Sequence, residues 1–171
     1  YQTNLNPKIR CFGEPEVRGL AHDPEQAQLT LIKVPDIPGT AATLFKKLAD
    51  KEISVDAIFQ SERQHQDNSR DISFILKKHD LNCAKNTLRP LLTIWKNSEL
   101  VDGPAITRVS AVGAGMPAIS GTAGRLFRAL ANENINILMI ATSEIRISCV
   151  VNERDGDKAL RAIHTSFELG K

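Results

Sequence analysis

Residue types that carry catalysis are scarce in this sequence and widely separated. The candidates are four histidines and three cysteines, namely His22, His65, His79, His164, Cys11, Cys83 and Cys149. None belongs to a G-x-S-x-G, H-E-x-x-H or G-x-x-x-x-G-K-[ST] motif, and no C-x-x-C pair offers zinc ligands. Cys149 has apolar neighbours, which is typical of a core cysteine, and a lone helical histidine such as His164 is typical of a surface. The sequence therefore predicts neither a catalytic site nor a metal site.

The run Gly113-Ala114-Gly115 has the spacing of the first two glycines of the dinucleotide-binding motif G-x-G-x-x-G. Ala118 stands where the third glycine is needed, and no acidic residue ends a following strand about 20 positions later. A flexible turn between a strand and a helix is the better interpretation. Nucleotide binding is not predicted here.

A different chemistry is indicated at Asp36-Ile37-Pro38-Gly39, a turn between a predicted strand and a predicted helix. The first N–H groups of a helix lack internal partners and lie at the positive end of its dipole, where a carboxylate binds. The carboxylate of Asp36 can bind an ammonium group beside it. The pattern fits a site for a free amino acid, whose two charged groups would both be bound. A structural role explains the turn equally well, because Asp36 can also cap the helix or order the turn.

Composition excludes several classes of protein. The chain has 171 residues, enough for one large or two small domains, and is 42% hydrophobic and 25% charged, as in soluble globular proteins. Its net charge of +2 argues against nucleic acid as the main partner, because binding a nucleic-acid backbone needs a clear basic excess. No apolar run reaches the roughly 18 residues of a membrane span, and the polar start is not a signal peptide. The cysteines are odd in number and scattered, which fits a reducing compartment, so we expect a cytoplasmic protein. The missing apolar run leads us to expect no membrane contact.

The chain contains an internal repeat. GTAATLFKKLADKEISVDAIFQ, from Gly39 to Gln60, aligns without a gap with GTAGRLFRALANENINILMIAT, from Gly121 to Thr142, and nine of the 22 positions are identical at an offset of 82 residues. DISFIL matches EIRISCVV at a shorter offset, and Leu88-Arg89 matches Leu160-Arg161. A period of this length is too long for a solenoid, so we predict a duplicated domain.

Each copy contains alternating strand patterns and helical patterns with apolar residues three and four apart. The elements predicted in the first copy are strands at Gln28–Val34, Val55–Glu62, Asp71–Lys77 and Ser98–Val101 and helices at Thr40–Lys51 and Leu81–Trp95. Those of the second copy are strands at Ile106–Val112, Asn136–Thr142 and Ile145–Val151 and helices at Thr122–Asn132 and Asp155–Phe167. Pro90 is expected to kink or end its helix early. The order β-α-β-β-α-β predicts two ferredoxin-like domains of the α+β class.

The second copy lacks a fourth strand, whereas the strand-like segment Glu16–His22 has no place in the first copy. We therefore expect this N-terminal strand to complete the second sheet and to interlock the two domains, because it would cover an exposed edge. The resulting division is a linker at residues 1–14, the added strand at 15–23, the first domain at 24–103 and the second at 104–171.

Several segments match motifs of a known family. They are VPDIPGTAATLF, ISVDAIFQS, DISF, VSAVGAGM, GTAGRLFRALANENINILMIATSEIRISCVV and ALRAIHTSFEL. The most specific is NINILMIATSEIRISC, which ends at Cys149 and is close to the family signature NI-x-MISTSEI-x-ISC. Over about Val17–Leu169 the chain thus resembles the paired ACT domains of aspartate kinase, either as the separate regulatory β-type subunit or as a C-terminal regulatory fragment without the catalytic domain.

The resemblance implies feedback regulation. Members of this family bind lysine, threonine or both where ACT domains of two chains pack together, and so inhibit the phosphorylation of aspartate by ATP. The implied partners are a free amino acid, a second copy of the chain and an aspartate kinase catalytic domain or subunit. No cofactor is implied in this chain, since ATP and Mg²⁺ belong to the kinase domain.

The resemblance also assigns candidate effector-binding residues. Those of the first copy are Asp36, Pro38, Gly39, Ala41 and Gln60. Asn134, Asn136 and Ile137 of the second copy would approach the same pocket across the pair, and Met116, Thr142, Ser143 and Glu144 match a second, lysine-type pocket. Ser54 replaces the asparagine that the family has in the first copy at the position matching Asn136. Because the serine side chain is shorter and has fewer donors, we expect a change in the affinity or the effector choice of one pocket.

Two alternatives stay open. One is an assembly module that pairs through its sheet edges and binds no effector. The other is an enzyme with its site near Gly113, against which the missing nucleophile and base argue.

Overall fold

The computed structural model describes residues 17–113 and 119–168. In these residues, six strands and four α-helices alternate in the predicted order. The elements are β1 (Val17–Pro35), α1 (Thr40–Ala49), β2 (Val55–Gln60), β3 (Ser69–Lys77), α2 (Leu81–Ile94), β4 (Glu99–Gly113), α3 (Ile119–Asn132), β5 (Met139–Thr142), β6 (Arg146–Asn152) and α4 (Gly156–Ser166). The predicted linker lies outside the described residues.

The strands form one antiparallel sheet in the order β2-β3-β1-β4-β6-β5. The second half of β1 pairs with β3, from Gln26 opposite Lys77 to Pro35 opposite Ser69. The first half of β1 pairs with the end of β4, where Val17 lies opposite Gly113. The N-terminal strand thus completes the second four-stranded unit, β5-β6-β4-β1, and the start of β4 completes the first unit, β2-β3-β1-β4. The predicted interlocking of two ferredoxin-like units is confirmed.

Four predicted strands are merged into two long ones. The sequence predicted separate strands at Glu16–His22 and Gln28–Val34, which the structure joins in β1. It also predicted separate strands at Ser98–Val101 and Ile106–Val112, which are joined in β4. The register of β1 against β4 shifts between Asp23 and Gln26 and between Ala27 and Leu29, and Glu25 has a φ of 55°. These irregularities let one strand change partners without ending, because an extra residue bends a strand locally.

Proline at position 90 does not shorten its helix. The helix α2 continues through Pro90 to Ile94, so the expectation of an early end is wrong. Pro90 is exposed, so water can satisfy the carbonyl that the missing N–H leaves free.

Each unit has its own helix-covered core. In the first core, the sheet contributes Leu29 and Phe74 and the helices contribute Leu44 and Leu88, all fully buried. The equivalent residues of the second core are Val109 and Cys149 from the sheet and Leu126 and Ile163 from the helices. Ala84 and Leu88 of α2 therefore match Ala159 and Ile163 of α4, at an offset of 75 residues. The match of Leu88-Arg89 with Leu160-Arg161 in the sequence analysis is wrong by three residues, nearly one helical turn.

A third cluster joins the two units on the opposite face of the sheet. Ile75, Ile106 and Val150 are buried there and pack with residues of β2 and β5, the two edge strands. Arg108 of β4 bonds Asp23 at 2.9 Å and Asp56 of β2 at 2.8 Å. In a flat sheet β2 and β4 would lie three strand spacings apart, about 14 Å. The sheet must therefore curve around this cluster.

Candidate functional site

The turn between β1 and α1 leaves the start of the helix open. Gly39 occupies the N-cap position with a φ of 95° and offers no side-chain cap. Thr40 donates a hydrogen bond from Oγ1 to the carbonyl of Pro35 at 2.7 Å, which holds the turn closed. The first backbone bond inside the helix runs from the N–H of Thr43 to the carbonyl of Gly39, at 2.9 Å. The N–H of Thr40 bonds the carbonyl of Ile37 at 3.3 Å, so the N–H groups of Ala41 and Ala42 are left for a ligand or water.

A cavity of about 330 Å³ lies at this helix start. It is lined by Pro35, Asp36, Ile37, Pro38, Gly39, Thr40, Ala41, Gln60 and Ile72. The five first-copy positions of the sequence analysis thus share one cavity. Gln60, the last residue of edge strand β2, lines the cavity from the sheet side. The volume is of the order that a small organic ligand occupies.

The carboxylate of Asp36 is already paired. Arg70 donates to its Oδ2 from Nε at 2.6 Å, and the amide of Gln64 donates to the same oxygen. The hydrogen bond from Arg70, reinforced by that from Gln64, lowers the pKa of Asp36 below its usual value. The carboxylate is thus ionised at neutral pH. It does not cap α1, so the capping role considered above is wrong, and the role in ordering the turn is supported.

Sequence reasoning did not find Arg70. Its Nη1 donates to the carbonyls of Ser61 and Glu62 at 3.0 and 2.6 Å, so its guanidinium ties the loop after β2 to Asp36. The contact joins residues 34 positions apart through a loop without a motif. The only sequence signal was the polar, charged character of that loop.

The turn also borders a second cavity. It has a volume of about 440 Å³ and contacts Asp36 and Ile37 on one side and Ile94 and Trp95 on the other. Ile37 and Ile94 are 65% and 70% exposed, which is high for large apolar side chains. Trp95 is the single tryptophan of the chain, so its fluorescence can report changes at this turn.

The second-copy candidates lie elsewhere in the chain. Asn134, Asn136, Thr142, Ser143 and Glu144 are exposed and Ile137 is half-buried, and none of them lines the 330 Å³ cavity. Thr142 ends edge strand β5, and the N–H of Ser143 bonds the carbonyl of Arg146 at 2.8 Å in the following turn. Met116 lies outside the described residues. Within a single chain, the candidate residues of the first copy thus lie together in one cavity, and the candidates of the second copy do not join them.

Cys149 does not have the surroundings of a catalytic nucleophile. Cys149 is fully buried, and burial raises the pKa of its thiol to about 12, so it is not a thiolate nucleophile at neutral pH. Across residues 17–113 and 119–168, no group of three or more His, Cys, Asp and Glu side chains could hold a metal ion. In the same residues, no helix is long and apolar enough to cross a membrane.

The described residues form two interlocked ferredoxin-like units, and the first of them has an open helix start beside edge strand β2. The ACT domain model matches residues 32–90 and again 109–167. The chain therefore belongs to the ACT domain family, as a tandem pair.

Within this family, the chain matches the regulatory part of aspartate kinases. The aspartate kinase Ask_LysC of Stutzerimonas stutzeri is 39% identical over 156 residues, which are 91% of this chain and 37% of that protein. The chain thus spans little more than a third of the curated relative. A crystal structure of aspartate kinase from Synechocystis is 48% identical over 92% of this chain and 28% of that chain, with a TM-score of 0.84. The regulatory subunit of aspartate kinase from Thermus flavus is 38% identical, with a TM-score of 0.79, over 89% of this chain and 99% of that subunit.

Proposed function

We propose that this chain senses lysine, threonine or both and transmits feedback inhibition to an aspartate kinase catalytic domain or subunit in the cytoplasm. The observation that carries the proposal is the shared cavity of Asp36, Pro38, Gly39, Ala41 and Gln60 at the open start of α1. A solved aspartokinase III of E. coli in complex with lysine and aspartate is 25% identical to this chain, with a TM-score of 0.62, over 91% of this chain and 34% of that one.

The geometry suggests how an amino acid is bound. Its carboxylate accepts hydrogen bonds from the free N–H groups of Ala41 and Ala42 in the first turn of α1, where the helix dipole is positive. Its ammonium approaches Asp36, whose carboxylate is ionised and 23% exposed. Because Arg70 already bonds this carboxylate, the ammonium must share Asp36 with Arg70 or displace it. Effector binding and the position of the loop after β2 would then be linked.

A second copy of the chain completes the pocket in this proposal. Asn134, Asn136 and Ile137 do not line the cavity within one chain, and they would approach it from the partner. Thr142, Ser143 and Glu144, with Met116, would form the lysine-type pocket in the same way. An effector that binds only one arrangement of the two chains shifts the kinase by its difference in affinity, typically about 1–3 kcal/mol.

A thermal-shift and fluorescence titration against the free amino acids tests the proposal. At about 100 times its dissociation constant, an effector should stabilise the chain by roughly 2.7 kcal/mol, and Trp95 emission should change in the same concentration range. The response should be confined to lysine or threonine. Asp36→Ala should weaken the response at least about tenfold. Asp50→Ala is the control, because Asp50 also pairs with a cation but lies on the far end of α1.

The competing proposal is an ACT assembly module without an effector. It would still associate with itself, but no amino acid at millimolar concentration would change its melting temperature or its Trp95 emission. An unchanged affinity in Asp36→Ala, with a normal response in the parent chain, would remove Asp36 from the binding mechanism and leave the sensor function standing.

A further inference from the structure

A groove between α3 and α4 carries cations on both walls. Its volume is about 720 Å³, and Arg125 and Arg128 line it from α3, while Lys158 and Arg161 line it from α4. The one carboxylate in the lining belongs to Glu133. The groove therefore holds a formal charge of +3, more than the +2 of the whole chain.

The two outer cations are held in place by the ends of the opposite helix. Arg125 donates to the carbonyl of Ser166 and lies over the ring of Phe167, 4.8 Å from its centre. Lys158 donates from Nζ to the carbonyl of Glu133 at 2.7 Å, and the carboxylate of Glu133 lies 3.8 Å from the same Nζ. The helices are thus antiparallel, and their ends are tied together. The groove is a fixed feature of this helix pair.

The two other cations, Arg128 and Arg161, are exposed and form no ion pair with any residue that the structure describes. Each lies three positions after another cation of its own helix, where like charges repel. An anion bound along the groove would relieve this repulsion. Asn132, Thr165 and Ser166 add neutral donors to the lining.

The first repeat lacks this arrangement. At the positions equivalent to Lys158 and Arg161, α2 has Cys83 and Asn86, so its wall contributes no cation. Lys46, the equivalent of Arg128, is bound by Asp50 at 2.8 Å. The fold of the repeat therefore does not require cations on both walls, and the charge of the α3–α4 groove needs another explanation.

We propose that the α3–α4 groove binds a linear polyphosphate, either inorganic or the phosphate chain of a nucleotide. A guanidinium group can form two parallel hydrogen bonds to the oxygens of one phosphate, and three of the four cations are arginines. An amino-acid zwitterion fits poorly, because it carries one carboxylate and one ammonium whereas the groove has four cations and one carboxylate. The proposal is independent of the effector site at α1, because no residue lines both cavities.

Isothermal titration calorimetry of the 171-residue chain with sodium tripolyphosphate tests the proposal. The parent chain should bind it, and higher salt should weaken the binding. The double variant Arg128→Gln, Arg161→Gln should bind at least about tenfold more weakly. Lys46→Gln, Lys47→Gln on α1 is the matched control, which should bind like the parent. Melting curves check that both variants are folded.

Three outcomes would overturn the proposal. The first is no heat with tripolyphosphate in the parent chain, and the second is an equal loss in the α1 control, which would indicate diffuse charge attraction. Monophosphate that binds as tightly as tripolyphosphate would also contradict a site for a chain of phosphates. Titration with ATP separates the two sources. Equal affinity for ATP supports recognition of the phosphate chain alone, and tighter binding of ATP supports a nucleotide.

Discussion

At the scale of single residues, glycine serves different purposes at the starts of two helices. Gly39 needs its freedom of conformation, because its φ is 95° while a Cβ built there would meet nothing within 4 Å. Gly156, the first residue of α4, has an ordinary helical backbone conformation, but there is no space for a side chain. A Cβ there would lie 2.6 Å from Cγ2 of Thr107 and 3.4 Å from Nε2 of His22. Gly156 thus lets α4 approach the sheet where β1 and β4 are joined by the His22–Thr107 hydrogen bond.

Gly156→Ala should therefore destabilise the chain by about 1–3 kcal/mol, as overpacking does in a dense core. Gly124→Ala is the matched control. It lies inside α3, where a Cβ would meet nothing within 4 Å, and it should stabilise the chain by about 0.5–1 kcal/mol through helix propensity. Urea unfolding of both variants measures the difference. Equal effects of the two substitutions would contradict the steric role of Gly156.

At the scale of elements, the two repeats end their first helix in the same way. The N–H of Ile53 bonds the carbonyl of Leu48 at 3.0 Å, and the N–H of Ile135 bonds that of Leu130 at 3.0 Å. Both turns need a residue with positive φ, which is Glu52 in the first repeat and Asn134 in the second, each at 56°. Asparagine tolerates this conformation better than glutamate. The geometry thus accounts for Asn134 without a ligand.

Glu52→Asn should stabilise the chain by about 0.5–1 kcal/mol, and Asn134→Glu should destabilise it by a similar amount. The pair forms a matched exchange between equivalent positions, and chemical denaturation gives both values. The opposite signs are the critical result. A loss of stability in Glu52→Asn would mean that the Glu52 side chain makes a contribution larger than its backbone cost.

The sequence predicted the elements well because their signals are local. Apolar periodicity located the helices and strands, and the gapless repeat from Gly39 to Gln60 predicted the shared fold. The match of Leu88-Arg89 with Leu160-Arg161 failed because the offset falls from 82 to 75 residues across the loop after β2. The sequence indicated a shorter offset but not its exact value in the last helices. The Arg70–Asp36 pair was missed for a related reason, since the same loop forms it over a long range. The placement of Gln60 beside Asp36 was predicted through the family resemblance.

At the scale of the whole molecule, β1 and β4 belong to both units at once. The two strands pair with each other along most of their length. On its other side β1 pairs with β3 of the β2–β3 hairpin, and β4 pairs with β6 of the β5–β6 hairpin. Arg108 and the cluster of Ile75, Ile106 and Val150 add contacts between the units. Neither unit can lose its sheet without removing a strand from the other. The two repeats should therefore unfold together.

Two equivalent core leucines test this cooperativity. Leu48 in the first core and Leu130 in the second are 1% and 0% exposed, and truncation of either to alanine should cost about 2–5 kcal/mol. Trp95 packs against the first core and reports its unfolding. Leu130→Ala should move the Trp95 transition in urea as far as Leu48→Ala does. A transition that only Leu48→Ala moves would show that the repeats unfold independently.

Both outer edges of the sheet expose a large apolar side chain. The sheet ends at β2 and β5, and these strands present Ile58 and Ile140, at equivalent positions, with 53% and 47% of their surface exposed. Unpaired strand edges with exposed apolar side chains bind further strands. If the proposed dimer uses these edges, Ile58→Lys with Ile140→Lys should shift it to monomer in sedimentation equilibrium, and the response of Trp95 to the effector should weaken with it. Ile94→Lys is the control for the sedimentation measurement alone, since Ile94 is 70% exposed and lies at the end of α2, but it lines the same cavity as Trp95 and would alter its emission. A dimer that survives the edge substitutions would place the contact between chains on the helices, and the pocket would then have to be completed from that side.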